Sequence, residues 1–240
     1  MSPQLSDFKA LVFDVYGTLC DWETGMYNAL QPLISQLDEI PSRNQILTQL
    51  GSIETALQKE HPKMLYSDIL THAYERLAQN LKGKASKEEC EAFGQSIKDW
   101  PLFPDSADAL AELSKYYKLV VLSNVDRASF AFTREKLEAG KFTFDQICTA
   151  QDVGSYKPDP ANFIYALKVV KETYSVETNQ VLSTAQSLMH DHVPAQSLGM
   201  SSSYINRVGA SIGFTDSVAP TFEFKTLYEM AQAVKEAFEE

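Results

Sequence analysis

Five short apolar runs, each closing on a small or polar residue, constrain this chain more than any other feature. They are residues 9–14 (KALVFD), 117–124 (YKLVVLSN), 144–150 (FDQICTA), 180–186 (QVLSTAQ) and 201–206 (SSSYIN). Runs this short, mostly apolar or β-branched and bounded by polar residues, read as buried strands. Amphipathic stretches separate the later runs, at residues 105–116, 126–139, 160–173 and 189–198. Strands alternating with helices give an α/β fold with a parallel sheet.

The interval between residues 14 and 117 breaks that rhythm. Segments 25–38, 43–60, 66–81 and 86–99 carry apolar residues three and four apart, and strand signals are few. The spacing predicts a helical insert after the first strand. Pro101 and Pro104 in WPLFPD mark its return, because proline breaks a helix. We therefore expect a Rossmann-like α/β core from residues 1–20 and 101–240, and a helical cap from residues 21–100. A chain of 240 residues is long enough to bury both.

Charge narrows the partners. With 21 basic and 32 acidic residues the net charge is −11, which repels nucleic acid and anionic membrane surfaces. A small anionic substrate stays open, since one pocket can be positive inside a negative molecule. Cys20, Cys90 and Cys148 show neither metal spacing nor a disulfide framework. That pattern, with no signal-peptide pattern at the start and no apolar run of bilayer length, predicts a cytoplasmic protein.

In open α/β sheets, ligands bind beyond the carboxyl ends of the strands. The first run ends in Asp14, followed by Tyr16 and Thr18; the second ends in Ser123 and Asn124. Lys157 follows the third in SYKPDP. The fourth leads into Gln186, Ser187 and then His190, Asp191 and His192; the fifth ends in Asn206 and Arg207. Five segments thus bring polar groups to one edge.

These motifs, Asp-x-x-Gly-Thr, a hydroxyl residue on strand two, Lys-Pro, and an acid after strand four, resemble in that order the haloacid dehalogenase superfamily. Its phosphatases place a second aspartate two residues after the nucleophile as general acid and base. Tyr16 stands there instead, and a phenol is a poor proton shuttle near neutrality. Gln186 stands where those phosphatases carry the first strand-four acid, which weakens a Mg²⁺ site. DVYGTL, LSN, YKPD and YINR are similar to the L-2-haloacid dehalogenases, the metal-free branch.

The resemblance implies catalytic roles for Asp14, Thr18, Lys157 and Asp191. It implies substrate contacts for Tyr16, Ser123, Asn124, Gln186 and Ser187, and no metal or other cofactor. Asp14 attacks the carbon bearing halogen, and water then hydrolyses the ester; Tyr16 lines the halide pocket. The partner expected is a small-molecule acid, and related enzymes often form dimers. Two rival readings remain open: a Mg²⁺-dependent phosphatase, and a non-catalytic binding protein on the same fold.

The sequence departs from the family in two places. The cap segment NQILTQLGSIETALQKEHP has no arginine to grip halide and carboxylate; Arg43 precedes it and Arg76 follows it. The strand-four loop carries Gln186 and Leu188 where the family has Ser and Asn, with His190 and His192 flanking the acid. One of these histidines is expected to be buried and the other exposed. Trp22, Tyr27, Tyr66, Tyr74 and Phe93 are expected mainly in the cap core, and Trp100 and Phe103 near the hinge, able to close over substrate.

Overall fold

A computed structural model describes residues 3–239. The chain runs β1 (Ala10–Phe13), α1 (Trp22–Ala29), α2 (Gln31–Ile34), α3 (Arg43–Glu60), α4 (Tyr66–Asn80), α5 (Lys87–Gly94), α6 (Ser106–Leu113) and β2 (Lys118–Ser123). It continues α7 (Arg127–Glu138), β3 (Gln146–Thr149), α8 (Ala150–Val153), α9 (Pro160–Tyr174) and β4 (Val181–Ala185). The last elements are α10 (Val193–Ser197), β5 (Ser201–Ile205), β6 (Phe222–Phe224) and α11 (Leu227–Glu239).

The strands form one sheet in the order β3-β2-β1-β4-β5-β6, and every neighbouring pair is parallel. Strand alternation splits its side chains between two apolar layers. Leu11, Phe13, Leu119 and Val121 share one layer with Leu110 and Leu113 of α6 and Leu227 and Met230 of α11. Ala10, Val12, Val120 and Leu122 meet Phe163 and Val170 of α9 and Ala195 of α10 on the other side. Both faces are covered, which is why these strands read as continuous apolar runs.

The first layer continues without a break into the helices between β1 and β2. There α3 buries Leu47, Leu50, Ile53 and Leu57, and α4 buries Ile69, Leu70, Ala73, Tyr74 and Leu77. Each large apolar side chain so buried contributes about 1.5–3 kcal/mol. Ser42 and Ser86 open α3 and α5 with reciprocal capping bonds to Gln45 and Glu89. The two connections to the sheet run side by side: Asp21 N donates to Pro101 O (2.8 Å) and Phe103 N to Leu19 O (3.1 Å). Trp100 packs so closely on α1 that a Cβ on Gly25 would lie 2.4 Å from its ring.

Several elements differ from the sequence expectation. Segment 25–38 is two short helices, because Pro32 near the start of α2 cannot continue α1. Segment 86–99 is α5 and then a 3₁₀ turn over Ser96–Asp99, ending where Pro101 holds Trp100 extended. Segment 189–198 begins as a π-helical turn, Leu188–His192, before α10. A sixth strand, β6, has only three residues and takes its order from pairing with β5.

Candidate active site

The sheet order reverses beside β1, between its neighbours β2 and β4, and the crevice beyond that point is where α/β sheets bind ligands. Asp14 leaves β1 at this edge. Gly17 then turns the chain with φ +104°, and a Cβ there would lie 3.1 Å from Trp22 Nε1 and 3.2 Å from Gln186 Oε1. Only glycine suits both the angle and the space. The turn brings Thr18 Oγ1 back to donate to Asp14 Oδ2 at 2.6 Å, while the same hydroxyl accepts from Gln186 N at 2.8 Å.

Lys157 completes the arrangement. Its Nζ donates to Asp14 Oδ1 (2.8 Å), Asp191 Oδ1 (2.7 Å) and Leu122 O (2.9 Å). An ammonium has three donors, so all are used and the side chain is fixed. Lys157 is 2% exposed, so its charge has to be balanced locally. Burial acts to lower the ammonium pKa, but Asp14 and Asp191 outweigh it and hold the pKa above its usual value. For Asp191, burial pushes the carboxyl pKa up; Lys157 opposes the rise and Asp14 adds to it. The Lys157–Pro158 peptide is cis.

The other sequence candidates fall into three groups. Tyr16, Asn124, Gln186 and Ser187 line a cavity of about 120 Å³ together with Asp14, Lys157 and Asp191. Asn124 spends its amide on the chain: Oδ1 accepts from Lys157 N (2.7 Å) and Nδ2 donates to Lys157 O (3.2 Å). Its side chain thus acts as a clamp on the lysine loop. Ser123, expected at the substrate, is fully buried and outside the cavity wall. Strand alternation puts it on the same face as Leu119 and Val121, turned into the core. Thr18 is also fully buried and works through Asp14.

Tyr16 is no proton shuttle. Its hydroxyl pairs with Thr133 Oγ1 at 2.9 Å, its ring stands edge-on to Trp100, and burial pushes the phenol well above its usual 10. Of the two histidines one is buried as expected, while the other is partly buried rather than exposed. His192 is fully buried, with Nε2 on the Ala185 carbonyl and Nδ1 on Ser202 Oγ. His190 is partly buried in the cavity wall, its Nδ1 on Ser187 Oγ; burial and Lys157 both lower its pKa. Arg207 is structural: it donates to the Thr18 carbonyl, pairs with Asp105 and lies over the Phe103 ring. Phe103 and Trp100 are therefore packing residues outside this cavity. Tyr74 and Phe93 are core, whereas Trp22 and Tyr66 line the cavity.

Sequence reasoning missed the insert's share of the site. Gly51, Glu54, Thr55 and Gln58 of α3 line the cavity, as do Val125, Ile212 and Gly213 of the core. No arginine does: Arg43 lies against Thr24 and the Tyr27 ring, and Arg76 pairs with Glu60 at the surface. The available signal was an acid, Glu54, four residues after Leu50 and seven after Leu47, on the apolar stripe of α3.

The donor set suits Mg²⁺ poorly. That ion wants octahedral hard oxygens, and the two carboxylates of the site, Asp14 and Asp191, already have their charge balanced by the Lys157 ammonium. Gln186 supplies an amide in place of a further carboxylate. Among the described residues no group of three or more His, Cys, Asp or Glu is placed to share a metal. What the arrangement can do is present one aligned, buried carboxylate to a small molecule.

Known proteins share this fold. No curated protein matches the chain. Among solved structures, the L-2-haloacid dehalogenase from Xanthobacter autotrophicus is 18% identical with TM-score 0.77, covering 95% of this chain and 98% of that one. The same enzyme is known with chloropropionic acid covalently bound. The L-2-haloacid dehalogenase RSc1362 is 19% identical with TM-score 0.77, covering 95% and 99%. The putative HAD-hydrolase YfnB from Bacillus subtilis, bound to magnesium, is 21% identical with TM-score 0.73, again covering 95% and 99%. At these identities the likeness is one of fold. The family model for haloacid dehalogenase-like hydrolases matches residues 8–182, well over half of the sequence, and the chain belongs to that family.

Proposed function

We propose that this hydrolase displaces halide from a small 2-haloalkanoic acid through an ester on Asp14, without a metal. The observation that carries the reading is the buried Asp14 carboxylate, held by Thr18 and Lys157, with Tyr16 in the place of a second acid.

An Asp14 oxygen attacks the substrate carbon; a C–O bond forms and the carbon–halogen bond breaks. Halide leaves with the bonding pair and needs no proton, so the site has no use for an acid at position 16. Tyr16 and Trp22 line the space for the leaving group. Water then attacks the Asp14 carboxyl carbon, the ester opens, and the hydroxy acid departs carrying an Asp14 oxygen. Covalent catalysis of this kind replaces one hard step by two easier ones. Asp191 orients the water: one of its oxygens is on Lys157 and the other has no hydrogen bond among the described residues. Residues 21–100 act as the cap that shields the displacement from bulk water.

The covalent chloropropionic acid of the Xanthobacter enzyme supports carrying this chemistry over. Magnesium in YfnB favours the rival, a Mg²⁺-dependent phosphatase. Halide release from racemic 2-chloropropionate, with EDTA present, separates them. We expect wild type to consume one enantiomer and Asp14→Asn to consume neither. Phosphate-ester hydrolysis that requires Mg²⁺, without halide release, would overturn the proposal. Loss of nothing measurable in Asp14→Asn would favour a binding protein.

A further inference from the structure

The cap wall of the cavity presents an acid and no cation. Glu54 lies on the buried stripe of α3 and is 8% exposed. Its Oε2 accepts from Tyr66 Oη at 2.8 Å, while Oε1 is shielded and has no partner among the described residues. A buried polar atom left unpaired is costly, and the residue that carries it stands in the cavity wall.

Its surroundings do not favour an ionised form. Tyr66 comes from α4, Tyr156 from the loop before Lys157, and Tyr16 from the β1 turn. Across the cavity stand Asp14, Asp191, His190 and Lys157. Lys157 is the one fixed cation in that wall, and its three donors are committed to Asp14, Asp191 and Leu122. Two carboxylates share that ammonium, so a third anion gains little from it. As a neutral acid, Glu54 has one O–H to give while still accepting from Tyr66.

We propose that Glu54, as an uncharged carboxylic acid, donates a hydrogen bond to the substrate's carboxylate and is the specificity-determining residue of the cap. The inference rests on the proposed function in taking the substrate to be a small carboxylate. Burial pushes the Glu54 carboxyl up to about 7, with the Tyr66 bond acting the other way. Anion binding near neutrality therefore draws a proton from solution, and affinity falls as Glu54 ionises. His190 does not share this dependence, since its lowered pKa leaves it neutral above pH 7.

Propionate, an unreactive carboxylate, is the probe, titrated calorimetrically into wild type and Glu54→Gln in buffers of different ionisation heat. Wild type should take up close to one proton per propionate above about pH 7, and affinity should fall about tenfold per pH unit there. Glu54→Gln keeps a donor but has no proton to gain, so its uptake should drop well below that of wild type and its pH dependence should flatten. Glu54→Ala should bind about tenfold or more weakly at lower pH. The KM for 2-chloropropionate should follow the same pattern. Uptake retained in Glu54→Gln, pH-independent binding by wild type, or binding of propylammonium in place of propionate would overturn the inference. Propionate bound with proton uptake, but no halide released, would instead overturn the halide reading and leave Glu54's role standing. Halide release with a pH-independent KM would do the reverse.

Discussion

Replacing Lys157 by methionine removes the one charge that lets two acids share this crevice. The side chain keeps its bulk, but the bonds to Asp14, Asp191 and Leu122 vanish. The two carboxylate oxygens each lie within 2.8 Å of the missing nitrogen, so their separation cannot exceed twice that distance. Two like charges about 5 Å apart at an effective dielectric near 20 repel by about 3 kcal/mol. Breaking a buried pair by removing one partner costs about 3–5 kcal/mol in all.

The molecule escapes by protonating one acid, which fixes the sign of the pH dependence. An acid whose folded pKa rises above its unfolded value costs nothing below about pH 4, where both states are protonated. The penalty then grows by about 1.4 kcal/mol per pH unit until the folded group also ionises. Urea unfolding should therefore show Lys157→Met only modestly weaker than wild type at about pH 5, and weaker by about 3–5 kcal/mol at about pH 8. Adding Asp191→Asn should recover about 3 kcal/mol of the loss at the higher pH. Equal losses at both pH values, or no recovery in the double variant, would refute the shared-charge account.

Three further outcomes follow. Tyr16→Phe should lose only the Thr133 bond, leaving kcat within a few-fold of wild type; a collapse of turnover would show that the hydroxyl takes part in the chemistry. Arg207→Gln should break the Asp105 ion pair and the bonds to the Thr18 carbonyl, leaving Asp105 the Leu227 and Tyr228 backbone N–H groups; thermal unfolding should report a loss of about 1–3 kcal/mol, and an unchanged Tm would contradict that role. Burial lowers the His192 ring pKa and outweighs the bond from Nε2 to the Ala185 carbonyl, which acts to raise it. A lowered histidine pKa makes stability fall as pH drops below about 6.5, and His192→Asn should flatten that acid limb of the stability curve.

How much of this was legible depends on which forces left local traces. The runs around Val12, Val120 and Leu182 betrayed their strands because both faces are covered, and no solvent-facing polar residues interrupt them. β6 left too short a trace, since its order comes from β5. The break at Pro32 and the π-turn through His190 were hidden by periodicities that run across them. In the site, Asp14, Thr18, Lys157 and Asp191 were readable because strand ends converge at the point where sheet order reverses. Ser123 was misplaced because a one-residue step along a strand turns a side chain to the other face. Glu54 was missed because an acid on an 18-residue amphipathic helix reads as cap surface or core until the cap is set against the crevice.

The central claim is that Asp14 itself becomes bonded to the substrate. A single turnover of 2-chloropropionate in ¹⁸O-water, with enzyme in excess, tests it directly. The account predicts hydroxy acid free of label and one heavy oxygen in the peptide containing Asp14, because water attacks the Asp14 carboxyl carbon. Label in the hydroxy acid, with Asp14 unlabelled, would mean that water displaces the halide directly, and the account would be wrong.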